Sequence, residues 1–202
     1  MTTHKTTVED ASNYQIKAAE KHGVVFTLEN NGLYRWSRDA RNGGGLHGSG
    51  FESVIKAAEN ACDKLNGEMQ ARGQYESIRE MVAALNKAEE ECGAGTTGYE
   101  EAETAIQEVA LSVEVRSGWY SLGQRDADTA PAEFRILLCT GGPATQIVGD
   151  ISEHGEPEKA TMQFQDWFTP WTEWLGQGTD DDRQQIEENL LAYARCFYFG
   201  EG

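Results

Sequence analysis

The 202-residue chain is short of the residues that most often announce a chemistry. Its four cysteines (Cys62, Cys92, Cys139, Cys196) include no CxxC pair, and its four histidines (His4, His22, His47, His154) are just as scattered. Structural zinc sites draw ligands from closely spaced pairs, so the spacing argues against a metal centre. In a reducing compartment the thiols stay free. No apolar run approaches the roughly 20 residues of a membrane span. The opening MTTHKTTVEDASNY lacks the apolar core of a secretory signal. The expectation is a protein of the cytoplasm with no membrane partner.

Positive charge is scarce as well, with 17 Lys and Arg against 34 Asp and Glu. An apolar content of 39% with 9% aromatics still suffices for a core, so the acidity does not imply disorder. The imbalance is also lopsided. Residues 1–74 hold nine basic and nine acidic residues, whereas residues 75–202 hold eight and 25, the whole of the net −17. Free duplex DNA is repelled by such a segment, and a protein surface built to hold DNA attracts it.

What is present reads as an α+β chain. SNYQIKAAEKH (12–22) suits a short helix ending at Gly23. VVFTLE and LYRWSR flank an Asn-Asn-Gly turn, which predicts a hairpin with Tyr34, Trp36 and Arg38 on one face. After the glycine-rich connection RNGGGLHGSG, the residues Phe51, Val54, Ile55, Ala58, Cys62 and Leu65 fall at helical spacing, with Ser49 or Ser53 as cap. The polar patch NGEMQARGQ (66–74) predicts a boundary. YESIREMVAALNKAEEEC and YEEAETAIQEVA form a helical hairpin around GAGTTG. From about residue 109, LSVEVRSGWYSL, FRILLC, TQIVGDIS and KATMQFQDW predict three or four antiparallel strands. FTPWTEW reads as irregular, and TDDDRQQIEENLLAYARCFYFGEG as a helix capped by Thr179. The expected organisation is a small N-terminal ββα module (1–70), an acidic helical hairpin (71–108), and an antiparallel β-meander with a C-terminal helix (109–202).

Five features are candidates for function. Cys139 ends an apolar strand before Gly141 and Gly142, whose N–H groups are potential oxyanion donors. A cysteine nucleophile needs a nearby base, and no histidine is fixed beside it in sequence, so the plainer reading is a buried strand end. GGGLHG matches G-x-G-x-x-G at Gly43, Gly45 and Gly48, with Asp63 twenty residues beyond Gly43. The strand before it is a hairpin strand and not the buried parallel strand of a dinucleotide fold, so a flexible connection is the default and no cofactor is expected. Tyr34, Arg35, Trp36, Arg38, Arg41 and His47 mix aromatics with positive charge, as single-stranded nucleic-acid surfaces do, and equally suit a core stripe. Three acidic runs, Glu89–Glu91, then Glu100, Glu101 and Glu103, then Asp180–Asp182, could imitate the phosphates of a polynucleotide or simply be solvated helix faces. Trp167, Phe168, Trp171 and Trp174 form a dense aromatic group, suited to an interface or to packing on the sheet.

SGWYSLG (117–123), PAEFRILLCTGGPA (131–144), GDISEHGEPEKA (149–160), QDWFTPWTEW (165–174) and YARCFYFGE (193–201) resemble an uncharacterised family carried by bacteriophages and prophages. The resemblance covers roughly residues 110–202 and has no assigned chemistry. Small acidic phage proteins without catalytic motifs are often inhibitors of host defence, such as anti-CRISPR and anti-restriction proteins, and that is the function the resemblance implies. The expectation is a non-enzymatic inhibitor in the host bacterial cytoplasm. Glu89, Glu90, Glu91, Glu100, Glu101, Glu103, Asp180, Asp181 and Asp182 would meet the basic groove of a nucleic-acid-binding defence complex, with Trp167, Trp171 and Trp174 as apolar anchors. A homodimer is left open. The competing readings are a nucleic-acid-binding protein using the Tyr34–Arg41 hairpin and an enzyme using Cys139 as nucleophile.

Overall fold

In the computed structural model, which describes residues 8–38, 46–119, 130–166, 169–176 and 179–199, the apolar periodicities become two antiparallel sheets and four helices. Helix α1 (Val8–Lys21) leads into strands β1 (Val24–Leu28), β2 (Tyr34–Arg38) and β3 (His47–Phe51), ordered β1-β2-β3. Helix α2 (Val54–Cys92) and helix α3 (Thr97–Val109) follow. Strands β4 (Ser112–Ser117), β5 (Pro131–Cys139), β6 (Ala144–Asp150), β7 (Thr161–Gln165) and β8 (Thr172–Glu173) form a meander in chain order. Helix α4 (Asp180–Ala194) closes the fold. The α+β class, the helical hairpin, the meander and the C-terminal helix agree with the sequence reading, except that the meander has five strands where three or four are expected, because the FTPWTEW segment, read as irregular, pairs its Thr172 and Glu173 with β7 as β8.

Three local expectations need correction. The glycine-rich connection holds a third strand, β3, so the first module is a three-stranded sheet between helices. Gly48 sits in that strand because a Cβ there would run into the Trp36 indole and Asn60. Phe51 therefore ends a strand, and α2 starts at Val54 behind Ser53, whose hydroxyl accepts from the Lys56 N–H at 3.3 Å. The second correction is α2 itself, which runs unbroken through 66–74 for 39 residues. Gly67, read in sequence as part of a break, is where the Phe164 ring of β7 lies against the helix, and an added Cβ would stand 2.5 Å from that ring. The third is the end of α4. It stops at Ala194, and Phe199 beyond it is buried against Phe134 with ring centroids 4.8 Å apart.

The long helix joins two hydrophobic clusters. Its N-terminal half supplies Ala57, Ala61 and Leu65, which pack with Ala19, Val24 and the fully buried Trp36. Its C-terminal half supplies Tyr75, Ile78, Val82 and Leu85. These meet Ile106 of α3, Ile186, Leu190 and Tyr193 of α4, and Phe134, Ile136, Ile147, Met162 and Phe164 of the sheet. Ile136, Ile147 and Met162 are register partners across three strands, so one sheet face is apolar and packed under the helices. No helix among the described residues is long and apolar enough to cross a membrane.

Candidate functional site

Two of the three acidic runs meet at one end of the molecule. Glu89–Glu91 occupy the last turn of α2, and Gly93 with φ 87° turns the chain toward α3, which begins four residues later. On α3, Tyr99, Ala102 and Ile106 face the core, which leaves Glu100, Glu101 and Glu108 on the outer side. That outer side, with Thr97, Thr104 and Ala105, borders a shallow depression of about 350 Å³. Burial raises the Tyr99 phenol, and Glu103, the Cys196 thiol and Glu89 push it the same way, so these groups share one neighbourhood. From Lys87 to Val109 the hairpin carries seven glutamates against one lysine, a net of −6. All seven except the half-buried Glu103 are exposed. The lysine pairs with Glu91 at 3.8 Å, a solvent-exposed contact of small energetic weight.

Asp180–Asp182 do not join them. They form the first turn of α4, where Thr179 caps the Asp182 N–H at 3.2 Å and the helix dipole favours negative charge. The other end of α4 touches the hairpin. Tyr193 donates to the Ile106 carbonyl at 3.3 Å, and Gln107 donates to the Cys196 carbonyl at 2.6 Å. Burial and then Glu103 push the Cys196 thiol up to about 11. A 15-residue helix rises about 22 Å, which is roughly the gap between this acidic turn and the hairpin. The expected grouping is thus divided, with a concentrated hairpin and a separate aspartate cap.

The tryptophans are divided too. Trp174 is buried and packs on Tyr75 with centroids 5.0 Å apart. Tyr75 lies fourteen residues before Glu89 on α2, about 21 Å along the axis. Trp171 is partly exposed on the β7–β8 connection, and Trp167 and Phe168 lie outside the described residues. Trp174 is thus a core residue and no free anchor. Two exposed aromatics lie outside that group: Trp119, fully exposed just past β4, and Tyr198, exposed beyond α4. On β4 itself Val113 and Val115 are register partners of the buried face yet stay substantially exposed. An edge strand is the reason, since a side chain at a sheet margin has neighbours on one side only.

The remaining candidates lie elsewhere in the fold. Trp36 is fully buried, its indole N–H donating to Asn60 Oδ1 at 3.1 Å. Arg38 is buried and paired with Glu68 at 2.5 and 2.6 Å. Neither can stack on or clamp a nucleic-acid strand without leaving the core, which removes the centre of the Tyr34–Arg41 surface; Arg41 lies outside the described residues. Cys139 is half-buried at the end of β5, with the Gln70 amide at 3.7 Å and the Pro143 carbonyl at 4.0 Å from Sγ. Neither is a base, and His154 is exposed in the β6–β7 turn. Gly43 and Gly45 lie outside the described residues, and the third glycine of that motif, Gly48, is the β3 residue under Trp36. No group of three or more His, Cys, Asp or Glu suited to a metal occurs among the described residues. Comparison with protein-family models, with curated proteins and with solved structures gives no match to this chain.

Proposed function

We propose that the chain is a binding protein whose acidic helical hairpin occupies a lysine- and arginine-rich surface on a partner protein, a surface that otherwise holds a polynucleotide. The single observation carrying this reading is the net −6 between Lys87 and Val109, displayed on two helices joined by a short turn. Carboxylates held on a folded scaffold need no backbone ordering on docking and steer association over a Debye length. The reading rests on Glu89, Glu90, Glu91, Glu100, Glu101 and Glu108; Asp180–Asp182 and the tryptophans are not needed for it. With the resemblance to phage-borne sequences, the partner we propose is a host defence complex that grips DNA or RNA, and the protein is its stoichiometric inhibitor in the bacterial cytoplasm.

The test is capture from nuclease-treated bacterial lysate with the tagged full chain. The expected result is a nucleic-acid-binding protein that duplex DNA displaces and that E89Q/E90Q/E91Q/E100Q/E101Q fails to retain. Capture indifferent to both duplex DNA and these substitutions, or no nucleic-acid-binding protein at all, contradicts the proposal.

A further inference from the structure

The sheet face turned away from the helices carries a second feature, independent of the hairpin. Because Ile136, Ile147 and Met162 point into the core, their neighbours Arg135, Gln146, Val148 and Gln163 point outward. Together with Glu114, Arg116 and Glu133 they border a cavity of about 490 Å³. That volume lies within the range of small-molecule sites, roughly 300–1,000 Å³.

The lining is charged but locally neutral. Arg135 pairs with Glu114 and Arg116 with Glu133, each pair directly across the β4–β5 ladder. Among the described lining residues two cations therefore face two anions at the rim, with no net charge left over between them. At the base, Gln146 is only 5% exposed. Its amide nitrogen donates to Gln163 Oε1 at 2.9 Å, while its own Oε1 is buried with no hydrogen-bond partner among the described residues. A buried amide end without a partner is unfavourable unless something in the cavity meets it. Turning both amides over leaves the same pair bonded and exchanges the unmet acceptor for an unmet donor, so the pair reads either polarity of a neutral group. Val148 supplies an apolar wall beside it.

We infer that this cavity, floored by Gln146 and Gln163 and rimmed by two compensated Arg–Glu pairs, binds a small uncharged polar ligand through an amide-type donor–acceptor edge. Such an edge is found on a nucleobase and on a carboxamide. The charged rim orients the ligand's polar periphery, and the Gln146 amide completes its hydrogen bonding on it.

The experiment is a titration of the ¹⁵N-labelled full chain, following the side-chain amide resonances of Gln146 and Gln163. Uridine and N-acetylglutaminamide are the neutral probes, and inorganic phosphate and spermidine the ionic ones. At least one neutral probe is expected to give saturable shifts in both amides. Uridine alone doing so identifies a nucleobase ligand, and the carboxamide alone identifies a peptide-type amide. Val148→Trp fills the cavity while sparing the amide pair and is expected to weaken binding at least tenfold. The inference is overturned if neither neutral probe moves these resonances at about 10 mM, ten times a 1 mM Kd, or if the ionic probes move them as much. The wild-type titration alone decides this, whatever the variant's fold.

Discussion

Replacing each of two glycines of α2 by alanine should move stability in opposite directions. Gly73 is exposed, in helical backbone, with nothing within 4 Å of an added Cβ. Alanine there lowers the entropy of the unfolded chain and favours helix, a gain of about 0.5–1 kcal/mol. Gly67 earns the same intrinsic gain, but its Cβ would meet Phe164 Cδ2 at 2.5 Å and Cε2 at 3.1 Å. Phe164 is 2% exposed and wedged in the main core, so it has no solvent to retreat into. Overpacking of this kind costs about 1–3 kcal/mol, which leaves Gly67→Ala destabilised by roughly 1–2 kcal/mol after the helical gain. Urea unfolding followed by circular dichroism measures both, provided the m-value is unchanged. In a chain of this size 1 kcal/mol corresponds to about 2–4 °C in Tm. Equal effects of the two substitutions, or a stabilising Gly67→Ala, would refute the continuous helix and its contact with β7.

Glu68→Ala should destabilise by about 1.5–3 kcal/mol in the same assay, because it removes a charge-assisted hydrogen bond to the buried Arg38 guanidinium; a loss under about 1 kcal/mol would contradict the buried pair. Stability should fall as pH rises from 9 toward 11. The Cys196 thiol goes from 9.0 in the unfolded chain up to about 11 when folded, so over that interval only the unfolded chain has lost its proton. At about 1.4 kcal/mol per tenfold the thiol's share is roughly 2–3 kcal/mol, and Cys196→Ala should reduce the slope and leave the part due to Tyr193, which burial raises from 10.0 to about 12; an unchanged slope counts against a buried thiol. With iodoacetamide at pH 8, the exposed Cys92 should alkylate first, Cys139 no faster than Cys92, and Cys196 last. A Cys139 that reacts first and fastest would restore the nucleophile reading.

Periodic segments were legible in the sequence where one rule governed the outcome. FRILLC became a strand with one buried face, YEEAETAIQEV a helix with one apolar stripe, and Thr179 and Ser53 the caps of α4 and α2. Legibility failed where a residue was chosen for a distant contact. Gly67 looks like a breaker until Phe164, almost a hundred residues later, is placed on it, and Gly48 looks like loop until the Trp36 ring covers it. HGSGF has little strand character of its own and is a strand because Tyr34, Trp36 and Ser37 offer it a ladder. The acidic runs were visible, but their separation was not, since it depends on which end of α4 docks on α3. The sheet-face cavity was invisible for the same reason. Gln146 and Gln163 become neighbours only through the β6–β7 register.

Location of charge, as opposed to its amount, is the central claim, and one matched comparison tests it. E89Q/E90Q/E91Q and D180N/D181N/D182N each remove three negative charges, the first from the hairpin and the second from the far end of α4. Affinity for the captured nucleic-acid-binding protein is measured for both across a salt series. The account predicts at least a tenfold loss and a shallower salt dependence for the hairpin triple, with less than a twofold change for the aspartate triple. Equal losses from the two, or the larger loss from the aspartates, would contradict it.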